Sequence, residues 1–227
     1  MACRAGKLFK AVIMGPPGSG KGTIGKRIIE HFPLAYLSCG DLVRQHRAAG
    51  TELGEKASQF VLAGQLIPDS VTARMILSPL ERLESKSWLL DGFPRTLAQA
   101  HFLYCLDAPR MVIDLDVPHD VIMERLTLRR IHPASGRTYH LHFHPPQEEG
   151  RDDHTGEALV TRDDDQPEVV EQRLVSYKDW SRPMEDYYQG LGILRRFTGQ
   201  TSNQIWPQVF EHIAQFVHPT RDMNDYC

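Results

Sequence analysis

Nine residues, Gly15-Pro16-Pro17-Gly18-Ser19-Gly20-Lys21-Gly22-Thr23, constrain this chain more than any other stretch. They follow Leu8 to Met14, an apolar, β-branched run short enough to be a buried strand. Behind them Ile24, Ile28 and Ile29 recur at helical spacing. A glycine stretch between strand and helix is the setting of a phosphate-binding loop. Its glycines let the backbone curl until several N–H groups face one centre, and no Cβ blocks an approaching phosphate. The helix that follows adds the positive end of its dipole. Lys21 supplies a point charge that can reach terminal phosphates. The commoner loop sets Ser or Thr directly after its lysine to hold magnesium; here Gly22 intervenes before Thr23.

The rest of the chain alternates strands and helices. Strands read at 34–38, 88–91, 111–117 and 193–197. Helices open at Gly40-Asp41, Thr51, Pro68-Asp69 and Pro118, with a long one from Gln166 to Leu191 and a closing one from Ile205 to Val217. Pro79 and Pro183 are expected to end or kink their helices. This order predicts an α/β fold: a P-loop, doubly wound parallel sheet with helices on both faces. The 227 residues suit a single domain with an insertion. The tail from His218 is expected to fray.

From Ile131 to Asp165 the helical period stops and turn pairs crowd the sequence: His132-Pro133, Ser135-Gly136, Pro145-Pro146, Thr155-Gly156. Tyr139 to His144 alternates like a strand, with His140, His142 and His144 on one face. A long insertion of this kind is usually functional, often a lid.

The strand Trp88-Leu89-Leu90-Asp91 runs into Gly92-Phe93-Pro94-Arg95. A buried strand ending in Asp partners a phosphate loop, its carboxylate near the metal shell. Ligands of open α/β sheets bind along the carboxyl edge where Gly92 and Arg95 fall. The net charge of −3 gives no support for nucleic-acid or membrane-surface binding, and no apolar run approaches a membrane span. Cys3, Cys39, Cys105 and Cys227 are scattered, with no CxxC, which indicates neither disulfides nor a cysteine zinc site and fits a reducing compartment. Arg4, Lys7 and Lys10 make the start basic, as an uncleaved mitochondrial signal would be; a strand from Leu8 leaves no room for a removable presequence.

The loop's Gly-Lys-Gly-Thr ending, Leu90-Asp91-Gly92-Phe93-Pro94-Arg95 and Ile131-His132-Pro133-Ala134-Ser135-Gly136-Arg137 together resemble the adenylate kinase family in its long-lid form. Thr198-Gly199 to Asn203, then Ile205-Trp206-Pro207, resemble the mitochondrial GTP:AMP phosphotransferase branch. The resemblance spans about Lys7 to Val217 and implies reversible transfer of a γ-phosphoryl group from a Mg²⁺-bound nucleoside triphosphate to AMP, with GTP favoured and ATP or ITP as other donors; the alternatives are a catalytically weak nucleotide-binding scaffold and an ATP-preferring adenylate kinase. It divides the chain into a core (1–37, 68–128, 166–227), an AMP-binding helical segment (38–67) and a small β lid insertion (129–165).

Residue by residue, it places Gly15, Gly18, Ser19, Gly20, Lys21, Gly22, Thr23, Arg125, Arg129, Tyr139, His140 and Ser202 on the donor nucleotide. On AMP it places Cys39, Gly40, Arg44, Gln65, Leu66, Ile67, Gly92, Phe93, Arg95, Arg162, Arg173 and Gln99, the last reading adenine. Lys21, Arg95, Arg129, Arg162 and Arg173 would hold the phosphates in transfer, Asp164 and Asp165 would fix the closed lid, and Asp91 would stand in the outer shell of magnesium. Positions that carry four zinc-binding cysteines in some relatives are His132, Ser135, Asp152 and Thr155 here. Hydroxyls are poor zinc ligands, so hydrogen bonds rather than zinc are expected there. Cys39 stands where the family has Ser or Thr beside AMP; a thiol is the weaker hydrogen-bond partner. Gln200, Ser202 and Gln204 depart from the branch pattern near the donor base, which bears on the choice of GTP or ATP. The implied partners are AMP and the triphosphate alone, for a monomer of the mitochondrial matrix, with the cytoplasm as the alternative. A GTPase switch would need an Asn-Lys-x-Asp guanine signature, which the chain lacks.

Overall fold

A computed structural model describes residues 8–223; Cys3, Arg4, Lys7 and Cys227 lie outside them. In chain order the elements are β1 (Lys10–Met14), α1 (Lys21–His31), β2 (Ala35–Ser38), α2 (Cys39–Ala48), α3 (Glu52–Leu62), α4 (Asp69–Glu81), β3 (Trp88–Asp91) and α5 (Leu97–Asp107). There follow β4 (Met111–Asp116), α6 (His119–Thr127), β5 (Arg129–Ile131), β6 (Thr138–His140), a short 3-10 turn (Asp163–Asp165), α7 (Pro167–Gly190), β7 (Leu194–Thr198) and α8 (Ser202–Ala214).

Five strands form one parallel sheet in the order β2-β3-β1-β4-β7. The loop strand β1 is central, with Val12 level with Leu90 on one side and Val112 on the other. Strand side chains alternate between faces, and both faces are covered. Ala11, Ile13, Leu89 and Ile113 pack with Ile24 and Ile28 of α1, Ile122 of α6 and Ile205 of α8. Val12, Met14, Leu90 and Val112 pack with Ile76 of α4, Leu103 of α5 and Tyr188 of α7. The expected doubly wound sheet is present, and it carries the glycine loop, Asp91 and Ser38 to the carboxyl ends of three adjacent strands.

Several local expectations are corrected. Pro183 does not end α7, which runs on to Gly190, and α4 stops at Glu81, two residues past Pro79. Helix α8 starts at Ser202 because Thr201 and Gln204 form a reciprocal capping box, and it stops at Ala214. Helix α5 has no readable period: Leu97, Phe102, Tyr104 and Leu106 are exposed while Ala100 and Leu103 are buried, so apolar residues occupy both sides. The tail does not fray at His218, since the N–H and hydroxyl of Thr220 donate to the His31 carbonyl at 2.7 and 3.1 Å.

In the insertion, β5 and β6 pair antiparallel, with Arg129 opposite His140. The strand expected from Tyr139 to His144 ends at His140. The His140 ring nitrogen accepts the N–H groups of His142 and Phe143, both at 3.1 Å, and the chain turns back so that His144 bridges to His140. The three histidines therefore share no strand face.

Candidate active site

The loops at the carboxyl edge surround one cleft of about 1190 Å³. That exceeds the ~300–1,000 Å³ of a site for one small ligand. Gly20 caps α1 with φ +93°, and a side chain on Gly18 (φ +80°) would come within 2.8 Å of Leu126. Lys21 Nζ donates to the carbonyls of Gly15 and Pro16, each at 2.8 Å, which folds the lysine back over its own loop. Burial pushes its pKa down from 10.5 to about 8; Asp91 opposes the shift, and Arg95, Arg173 and Arg129 add to it.

Asp91, nearly buried at the end of β3, accepts the Tyr36 hydroxyl at 2.6 Å. Burial, then the Asp91 charge, hold Tyr36 protonated far above its ordinary range, so it stays a donor. Tyr36 closes one side of Asp91.

Cationic side chains crowd the rest of the cleft. The guanidinium of Arg129 grips Asp165 through two bonds, of 2.7 and 2.5 Å. Arg173 donates to the Asp164 carboxylate at 2.9 Å and to its carbonyl at 2.8 Å. Arg47, on α2, reaches Asp163 at 3.4 Å. Three consecutive aspartates thus meet arginines from three separate parts of the chain. Arg44 pairs with Asp41 one turn earlier. Arg95 Nε donates to the Gly92 carbonyl at 2.9 Å, and Arg125 binds the carbonyls of Gly18 and Gln200. Arg162 is different. Its Nε is buried without a hydrogen-bond partner among the described residues. Burial, then Arg129 and Arg44, lower its pKa to about 10. Like charges held this close are a receptor for a polyanion.

Away from the loop, the same cleft is lined by Cys39, Gly40, Gln65, Leu66, Ile67, Gly92 and Gln99. The Cys39 thiol is 3% exposed, and burial raises its pKa. Gly22, Thr23, His140 and Ser202 line the loop end. Ser19 and Phe93, expected in the site, are buried, 0% and 1% exposed, and do not line the cleft, while Asp165, 1% exposed, bonds Arg129 of the lining. The Ser19 N–H is turned to the Pro16 carbonyl at 3.1 Å.

In the insertion the expected hydrogen bonds are present. His132 Nδ1 meets Ser135 at 2.7 Å and its Nε2 meets Glu157 at 2.5 Å. Asp152 accepts from Arg137 at 2.7 and 2.6 Å, from Tyr139 at 2.9 Å and from the Thr155 hydroxyl at 2.9 Å. The Arg137 bonds above all hold the Asp152 carboxyl far below its usual range. Tyr139, expected at the donor, spends its hydroxyl on this network. No three His, Cys, Asp or Glu side chains among the described residues are arranged to hold a metal ion.

The sequence model of the adenylate kinase family matches residues 13–193. Two relatives, each called a mitochondrial GTP:AMP phosphotransferase, are 42% identical to the chain. The one from Drosophila melanogaster aligns over 203 residues, 89% of this chain and 94% of its own length; the one from Saccharomyces cerevisiae aligns over 218, or 92% and 93%. The chain belongs to the adenylate kinase family.

In this adenylate kinase family member the cleft brings together nearly every residue singled out from the motifs: the loop after β1, Cys39 after β2 and Gly92 and Arg95 after β3 lie at one sheet edge, joined by Arg125 of α6 and Arg173 of α7. Sequence reasoning missed three that hold others in place: Tyr36 on Asp91, Arg47 on Asp163, and Asp69 on Gln99. Asp69 and Arg47 carried only generic signals, a helix start and a solvated charge. No described helix is long and apolar enough to cross a membrane.

Proposed function

We propose that this chain transfers the γ-phosphoryl group of a magnesium-bound nucleoside triphosphate, GTP by preference, to AMP, giving the nucleoside diphosphate and ADP. The observation that carries this reading is the single cleft. Its lining includes the phosphate loop with Lys21, the residues Gln65, Ile67 and Gln99, and Arg44, Arg95, Arg129, Arg162 and Arg173. Two nucleotides facing each other across a cationic centre fit this arrangement. The names of the two relatives support GTP and AMP as the pair and the mitochondrion as the compartment, within which the matrix is our own reading.

Transfer breaks the bond between the γ-phosphorus and its bridging oxygen and forms one to an oxygen of the AMP phosphate. It needs positioning and charge stabilisation more than a protein nucleophile. Lys21 and Arg129 hold the donor phosphates. Arg44 and Arg95 grip the AMP phosphate, while Arg162 and Arg173 clamp the group in flight. Arg125 flanks the donor base. Arg162 Nε has no partner among the described residues to give up to a phosphate, whereas Arg129 and Arg173 are already bonded to aspartates.

The donor set suits magnesium that arrives on the nucleotide: one Asp91 oxygen is engaged by Tyr36, Thr23 is exposed at the loop, and no cage of metal-ligating side chains competes among the described residues. Bound there, magnesium neutralises charge on the β- and γ-oxygens.

Residues 129–165 act as a lid over a core of 1–37, 68–128 and 166–227, with 38–67 as the AMP-binding segment. Arg129 stands at the lid's entry and Arg162 at its exit, so closure brings both onto the phosphates and excludes water that would hydrolyse the γ-group. The protein acts as a monomer.

A coupled assay offering GTP, ITP and ATP in turn with AMP tests the proposal. Turnover with AMP and highest kcat/KM for GTP is expected. Highest kcat/KM for ATP would overturn the donor preference, and no turnover with any of the three would overturn the kinase reading.

A further inference from the structure

Gln99 is buried, 5% exposed, yet lines the cleft, and every part of its amide that the protein can hold is held. Its Oε1 accepts the Arg95 backbone N–H at 2.7 Å. Its Nε2 donates to Asp69 Oδ1 at 2.7 Å. The other Asp69 oxygen accepts the Thr96 hydroxyl at 2.9 Å, and the oxygen of that hydroxyl accepts the Gln99 N–H at 3.1 Å. Asp69 is the first residue of α4, 30 positions away in the chain.

An amide side chain can normally exchange its two ends by a half-turn about its last bond. Here that turn would set NH₂ against the Arg95 N–H and the carbonyl oxygen against a carboxylate, two repulsive contacts in place of two bonds. A carboxylamide has two hydrogens and two lone pairs. The protein uses one of each, so one donor and one acceptor remain, each at a fixed end.

We propose that Asp69 fixes which way the Gln99 amide faces, and thereby makes the acceptor pocket select adenine over hypoxanthine. The inference rests on the reading that Gln99 faces the AMP base. Adenine offers an acceptor at N1 and a donor at its 6-amino group; hypoxanthine offers a donor at N1 and an acceptor at O6. A freely turning amide serves either base equally. A locked one serves a single polarity and leaves the wrong base with two unpaired polar groups, the arrangement by which a buried site rejects an analogue. Asp69 is a positioning residue: it acts through Gln99.

The experiment measures kcat and KM for AMP and for IMP, at one saturating donor, in wild type, Asp69→Ala, Asp69→Asn and Gln99→Leu. IMP carries the same sugar and phosphate, so the AMP:IMP ratio of kcat/KM reports the base edge alone. Asp69→Ala should lower that ratio about ten-fold, mostly through KM for AMP. Asp69→Asn keeps an acceptor oxygen and should restore part of it. Gln99→Leu should raise KM for AMP and remove the discrimination. If Gln99→Leu collapses the ratio and Asp69→Ala does not, the lock is refuted while the reading of Gln99 stands. If Gln99→Leu changes neither KM for AMP nor the ratio, Gln99 does not face the base, and both fall. Should Asp69→Ala fail to fold, Asp69→Ser, which suits a helix start but is too short to hold Gln99, is judged by the same ratio.

Discussion

Lys21→Met separates what the loop lysine does for phosphate from what it costs the empty protein. The folded chain holds Lys21 with a pKa of about 8, against 10.5 for an ordinary lysine, because burial strips water from the ammonium. In the unfolded chain the same lysine keeps its proton until about 10.5. Between those values the unfolded state binds more protons, so wild-type stability rises with pH across that window. A whole proton of difference is worth about 1.36 kcal/mol over each pH unit, so the part gained between pH 7 and pH 9 is about 1 kcal/mol. In a chain of this size that moves Tm by about 2–4 °C. Methionine keeps the length and apolar stem of the side chain but cannot titrate, and all other groups cancel in the comparison. Thermal unfolding of both proteins, without nucleotide, should show wild type gaining those degrees on the variant between pH 7 and pH 9. Phosphoryl transfer by the variant should fall at least about 100-fold, the usual cost of losing a charge aimed at the transition state. Parallel Tm curves over that pH range would refute the desolvated lysine, and variant turnover above about a tenth of wild type would refute its role.

Cys39→Ser should lower KM for AMP and leave the donor KM nearly unchanged, since a hydroxyl is the stronger partner at the acceptor end; an unchanged AMP constant would mean that Cys39 does not touch AMP. Asp152→Asn should leave the core intact but make residues 132–157 sensitive to limited proteolysis, because one carboxylate holds Arg137, Tyr139 and Thr155 together. Its depressed pKa means that this support persists as pH falls below the ordinary carboxylate range and fails only in stronger acid, so wild-type resistance to pepsin at about pH 3 checks the sign. Elemental analysis of extensively dialysed protein should find no stoichiometric zinc. Asp164→Asn with Asp165→Asn should change turnover and both Michaelis constants together and weaken a bridging dinucleotide inhibitor; absence of a pre-steady-state burst in wild type would remove lid opening as the slow step.

The sheet and the loop were legible because each strand is a short apolar run and the glycines and lysine of the loop stand between a strand and a helix. Arg44, Arg95, Arg129, Arg162 and Arg173 could be found from motifs, and the cleft gathers all five. Partnerships were not legible. Tyr36 and Asp91 are 55 positions apart, Asp69 and Gln99 30, and no local pattern announces a hydrogen bond across such distances. Alternation misled at His140 to His144, where a ring nitrogen captured two backbone N–H groups and ended the strand. Helix α5 hid because its outer face is as apolar as its inner one.

The turn Asp163–Asp165 meets Arg47, Arg173 and Arg129 through three successive side chains, with no spare residue between them. One inserted or deleted residue there would hand each arginine the wrong neighbour, all three at once. Gly136, Gly150 and Gly156, by contrast, have open space where a side chain would stand. Their left-handed backbone (φ +69°, +77° and +70°) still asks for glycine, so the exit of the insertion is fixed by side-chain register and those turns by backbone conformation.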